Sequence, residues 1–164
     1  MTIQLPANAP TNTQEAFEYV SNFGSTVSID DLKILALAEA IGLELYVGMA
    51  EGTDNAEVRK LLLENGREEL AHAHRVSKAI EILTGEPFPI PPIEENPIYT
   101  QLPVMPLTRE ALEKLAQAEF SGEKLYDIVA ASFDNAEAKA LFAQNGKEEI
   151  GHGHRLSRAA ELLG

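Results

Sequence analysis

The chain has no cysteine, few basic residues and no long apolar run, and each lack removes a class of protein. Without cysteine it can form no disulfide, iron–sulfur cluster or thiolate zinc site, although this says nothing positive about redox compartment. Thirteen Lys and Arg stand against 26 Asp and Glu, leaving a net charge of −13. That balance argues against nucleic acid and anionic membranes as partners, because both need a basic footprint. The longest apolar stretch, around Ile34 to Leu45, is interrupted by Glu39, Gly42 and Glu44. A membrane span needs about 20 apolar residues, so none is expected. Met1 to Pro10 carries neither a basic residue nor an apolar block, so no secretory signal or transit peptide is expected and a cytoplasmic location follows. At 164 residues the chain reads as one domain.

What the chain does have is a repeat. Leu32 to Leu83 aligns without a gap on Leu112 to Leu163, with about half of the positions identical, which marks a duplicated unit. Each copy reads as a helical hairpin. Ser28 to Asp31 forms a capping box ahead of the stripe Leu32, Leu35, Glu39, Gly42, Tyr46, Ala50. A second helix is expected from Asp54, with Glu57 three residues on, and carries Val58, Leu62, Asn65, Glu69, His72, Val76 and Ile80 on one face. From Thr108 the stripe Leu112, Leu115, Glu119, Gly122, Tyr126 copies the first helix, and Asp134 with Glu137 opens the copy of the second. The links inside each hairpin are too short for anything but antiparallel neighbours. Between the hairpins, Gly85 to Leu107 holds Pro87, Pro89, Pro91, Pro92, Pro97, Pro103 and Pro106. These exclude a helix and favour an extended strap long enough to cross the molecule. The expected fold is all-α: a four-helix bundle with a leader over 1–27, hairpins over 28–85 and 108–164, and a crossover over 86–107. Within the leader, residues 11–24 read as a short amphipathic helix with Phe17, Val20 and Phe23 inward.

The chemistry lies in polar residues that occupy core positions. Glu39, Glu69, His72 and their copies Glu119, Glu149, His152 fall where the surrounding leucines mark the buried face. Four ionised carboxylates in an interior would be severely destabilising without compensation. Lysine and arginine are missing from these stripes, so two divalent ions are expected, with two bridging and two terminal glutamates and one histidine each. Oxygen donors with imidazole and no thiolate suit iron or manganese, singly or mixed, with zinc as the alternative. A lone Glu-x-x-His is usually a surface pair; two in register, each facing a core glutamate, are a different signal.

Neighbouring residues carry open readings. Asn65 and Asn145 lie one turn before Glu69 and Glu149 and are expected to bond to a metal ligand. Tyr46 and Tyr126 either pack with satisfied hydroxyls or serve as candidate catalytic phenols beside the metals. Gly42 and Gly122 imply a close approach or a vacant space near the metals that could admit dioxygen. Leu43 is matched by Glu123, which is either an extra ligand or a boundary residue facing water. His74 and His154 fall about 200° around the helix from the ligand histidines and read as rim residues. Glu68 and Glu148, about 100° off the ligand glutamates, read as solvated.

The pattern Glu, Glu-x-x-His, Glu, Glu-x-x-His over Ile29 to Leu163 resembles the ferritin-like di-iron carboxylate superfamily, and within it the rubrerythrin, erythrin and bacterioferritin group. The similarity of the halves is reminiscent of its symmetric branch, symerythrin. The resemblance implies a ferritin-like bundle holding two iron ions on Glu39, Glu69, His72, Glu119, Glu149 and His152, with the tyrosine at Tyr46 and Tyr126 also a feature of the group. It implies a non-haem di-iron oxidoreductase that reduces hydrogen peroxide, with ferroxidase activity towards dioxygen or bacterioferritin-type iron storage as the alternative. The sequence departs from the rubrerythrin pattern at Gly122, where a further glutamate is usual, and it has no rubredoxin domain after Gly164. A separate electron-donor protein is therefore expected, and a homodimer is expected because small bundles of this kind often pair.

Overall fold

Helix starts are set by side chains that accept the free N–H groups of a first turn. The computed structural model of the chain describes residues 3–103 and 106–164. Met1 and Thr2 of the expected leader, and Val104 and Met105 of the expected crossover, lie outside the described residues. α1 (Thr13–Ser21) follows Asn12, whose side chain accepts from Glu15 N. α2 (Ile29–Glu51) opens with the expected capping box, in which Ser28 Oγ accepts from Asp31 N at 3.1 Å and Asp31 accepts from Ser28 N at 2.8 Å. α3 (Ala56–Thr84) is capped by Asn55, and α6 (Ala136–Leu163) by Asn135. The expected caps, Asp54 and Asp134, are one residue early: asparagine caps as well as aspartate, and here it stands next to the first turn. Gly85 ends α3 in the left-handed region, φ 77°, which glycine adopts without steric cost.

The copy of α2 is not one helix but two. α4 (Arg109–Phe120) and α5 (Gly122–Ala131) meet at Ser121. Ser121 Oγ donates to Gln117 O at 3.1 Å, while its N–H turns to Ala118 O. The hydroxyl thus takes the acceptor that a regular helix reserves for the main-chain N–H, a known cause of bending at Ser/Gly pairs. Ile41, the matching residue of α2, has no such donor, and α2 runs through unbroken.

The helices pack as α2 on α3, α4 and α5 on α6, and α3 on α6. Leu107 lies against Gly52 at the far end of α2, and Val27 N donates to Ser132 Oγ at 2.9 Å at its near end. The chain therefore passes from one end of α2 to the other between α3 and α4, and α4 and α5 run back antiparallel to α2. The strap is clipped on: Asn96 Nδ2 donates to Leu37 O at 3.0 Å, Ser77 Oγ to Phe88 O at 2.6 Å, and Thr13 shares three bonds with Thr100. α1 lies on α2 beside it, with Phe17, Val20 and Phe23 against the core as expected.

This cover explains a difference between the copies. Under the strap and α1, the outer residues Ile34, Leu37 and Ile41 of α2 are fully buried. Their counterparts Lys114, Gln117 and Ser121 are exposed, because among the described residues no segment covers this face of α4. Among the described residues no helix is long and apolar enough to cross a membrane. Ile98, fully buried in the strap, should report whether the strap is structural. Ile98→Ala is expected to cost about 2–5 kcal/mol in urea denaturation; a loss below about 0.5 kcal/mol would mean a strap that only rests on the surface.

Candidate metal centre

Both histidines and all four core glutamates meet between the hairpins. One ligand atom each from Glu69, His72, Glu149 and His152 lies within 4.8 Å of the others, and all four residues are buried. The imidazoles of His72 and His152 stack at 5.1 Å. Around His72 Nδ1 stand Glu149 Oε1 at 3.2 Å, Glu39 Oε2 at 3.6 Å and Glu69 Oε2 at 3.9 Å. Around His152 Nδ1 stand Glu69 Oε1 at 3.2 Å, Glu149 Oε2 at 3.5 Å and Glu119 Oε2 at 3.7 Å. Glu69 and Glu149 thus offer one oxygen to each histidine, while Glu39 serves only His72 and Glu119 only His152.

The groups around this cluster come from the opposite hairpin. Tyr126 donates to Glu39 Oε1 and Tyr46 to Glu119 Oε1, both at 2.5 Å, which turns the other oxygen of each glutamate inward. Glu148 Oε2 lies 3.1 Å from His72 Nε2 and is held by Arg75, which also bonds Asn145 Oδ1 at 2.9 Å. Glu68 stands in the same relation to His152 Nε2, at 3.1 Å, and is held by Arg155. A carboxylate only accepts, so each Nε2 carries a proton, and when the ring is neutral, as a metal ligand must be, its Nδ1 lone pair points into the cluster.

Several expectations change here. Glu68 and Glu148 are not merely solvated: at 36% and 25% side-chain exposure they reach across to a buried histidine. The angle of about 100° on their own helix is correct, but it points them at the neighbouring helix rather than at water. Asn65 and Asn145 reach the centre through main chain, donating to His152 O and His72 O, and Asn145 also donates to the Tyr126 hydroxyl. Gly42 and Gly122 leave no vacant space. A Cβ on Gly42 would stand 2.9 Å from Glu69 Cγ, and one on Gly122 2.7 Å from Glu149 Cγ, so both glycines admit a glutamate. Glu123 is exposed on the first turn of α5 and does not join the cluster. His74 and His154 are exposed, as their spacing implies.

Electrostatics make the metal-free centre a proton trap. Burial opposes charging of His72, yet Glu149 and Glu39 beside it hold its pKa up to about 10. His152 is raised against its burial to about 12 by Glu119, Glu149 and Glu69. Burial and then the charge of Glu39 push Glu69 well up, and burial lifts Glu149 to about 7. Glu39 and Glu119 resist burial because the imidazoles hold them low, Glu119 at about 2. Burial, then Glu119 and Glu39 respectively, raise the phenols of Tyr46 and Tyr126, so both stay protonated at neutral pH.

These residues fit a metal. The two Nδ1 atoms are buried with no hydrogen-bond partner, since the nearby oxygens attract them by charge but lie off the line of a bond. The shortest contact at each histidine, 3.2 Å, falls within the about 3.0–3.4 Å that separates neighbouring donors about 2.1 Å from one ion, and the others, up to 3.9 Å, lie somewhat wider. No protein-family model, curated protein or solved structure matches the chain.

Metal uptake must displace protons held by the histidines, so binding is expected to release protons at neutral pH and to weaken as pH falls. Calorimetry in buffers of different ionisation enthalpy checks this. For the metal-free chain the raised histidines stabilise fully below their ordinary 6.5 and lose that contribution as pH rises through about 10 for His72. Its Tm should therefore fall from pH 6.5 towards 10, and metal should abolish the fall. Gly42→Ala should add helix propensity, up to about 1 kcal/mol of metal-free stability, while displacing Glu69 and weakening metal binding about tenfold. Equal affinity in the variant would show that the close approach is incidental.

Proposed function

We propose that the chain is a ferritin-like four-helix bundle, built from the two sequence copies, that holds two iron ions and reduces hydrogen peroxide. The observation that carries the reading is the pair of buried Nδ1 atoms without hydrogen-bond partners, on two stacked imidazoles among four carboxylates. Glu39 and His72 would hold one ion, Glu119 and His152 the other, with Glu69 and Glu149 shared between them. Such a pair supplies one electron from each ion, enough to reduce one peroxide to two waters with two protons.

The chain's own residues prepare that chemistry. Tyr46 and Tyr126 fix one oxygen of Glu119 and Glu39 and keep a proton on each phenol next to the centre. Glu68 and Glu148 fix the histidine tautomers and orientation, and the arginines fix the glutamates. Burial of Glu69, Glu149 and both histidines excludes bulk water, which strengthens every charge interaction inside. The electrons that restore the centre would come from a separate donor protein.

The test is to load the protein with ferrous iron anaerobically, quantify it, and mix it by stopped flow with hydrogen peroxide and separately with dioxygen, following the absorbance of iron oxidation. Two irons per chain and faster oxidation by peroxide are expected. Faster oxidation by dioxygen would reassign the centre to ferrous-iron oxidation, and iron uptake far above two per chain to storage.

A further inference from the structure

The two copies bring the same donors to the centre but enclose them differently. On the first side, Glu39 sits in an unbroken α2 whose outer face is sealed by α1 and the strap, with Asn96 bonded to Leu37 O two residues before it. On the second side, Glu119 sits at the end of α4, two residues before Ser121, and the outer residues Lys114, Gln117, Ala118 and Ser121 face water. The helix is interrupted there: the Ser121 N–H bonds to Ala118 O and its hydroxyl to Gln117 O, and the next regular bond, Leu125 N to Ser121 O, is 3.3 Å. The neighbouring carboxylates follow the same bias, since Glu68 behind His152 is 36% exposed and Glu148 behind His72 is 25% exposed.

We propose that the two metal positions are not equivalent, and that the one held by Glu119 and His152 is the exchangeable position through which ions enter and leave. Opening α2 requires lifting the strap and α1 as well as parting helices. Opening the α4–α5 junction requires only local separation from α6, at a point where the main-chain ladder is already interrupted. Local opening free energies follow such differences in buried contact and solvent-facing hydrogen bonds. Ser121 acts as a positioning residue in this scheme: it touches neither metal nor substrate but sets how readily Glu119 leaves its place.

The inference rests on the metal-centre reading above, and the experiment separates the two. The protein is loaded with cobalt(II), its content measured by mass spectrometry, and release into excess EDTA followed by absorbance. Two phases of equal amplitude are expected, at least about fivefold apart in rate. Glu119→Gln should remove the fast phase and Glu39→Gln the slow one. Ser121→Ala, at an exposed position, should slow the fast phase about two- to threefold by restoring helix propensity and leave the slow phase unchanged. Asn96→Ala should speed only the slow phase. In the metal-free protein, hydrogen exchange should be faster at amides of residues 120–123 than at 40–43. A chain that takes up no cobalt overturns the metal-centre reading and this inference with it. Two ions released in a single phase, or a fast phase indifferent to Ser121→Ala, overturn this inference alone.

Discussion

Four carboxylates gathered in one buried volume repel one another, and the rest of the molecule is arranged around that repulsion. Only two imidazoles stand among them, so without a cation the histidines must hold protons far above their ordinary pKa and two of the glutamates must give up charge. Every other polar group nearby manages the same field. The tyrosines occupy the outer oxygens of Glu39 and Glu119, and the arginines answer the charge of Glu68 and Glu148 at the margin, where water still reaches. Burying the arginines in the centre itself would neutralise the charge but displace any ion.

The same centre dictates small residues around it. Gly42 and Gly122 let the shared glutamates lie against the first helix of each copy, and Gly66 and Gly146 do so for the backs of Tyr46 and Tyr126. Where the copies differ, volume is exchanged rather than lost. Phe120 replaces Ala40, and its ring fills the space over Gly153, where the first copy has Ala73.

Much of this was legible in the sequence, for a physical reason: the repeat and the helical period place residues on a face, and a charged residue on a buried face must be compensated by a partner or an ion. The hairpins, the six core donors and the strap are all readable in that way. What lay beyond reach depends on the neighbouring helix. Glu68 and Glu148 look solvated on their own helix, and only packing reveals that each meets a histidine from the other copy. The glycines signal proximity without saying whether a side chain or a space lies opposite. Ser121 did carry a signal, since its match is Ile41 and a serine before a glycine interrupts a helix, yet the strength of the repeat argued for an unbroken copy.

Each copy completes the other's centre and not its own. Tyr126 serves Glu39, Glu148 serves His72 and Asn145 bonds the main chain of His72, while Tyr46, Glu68 and Asn65 return the same services to Glu119 and His152. The two halves are therefore bound together in inheritance as well as in space. A substitution in one half is felt by a residue in the other, whereas Ile41, buried under the strap, and Ser121, exposed on the uncovered side, lie outside this exchange and differ.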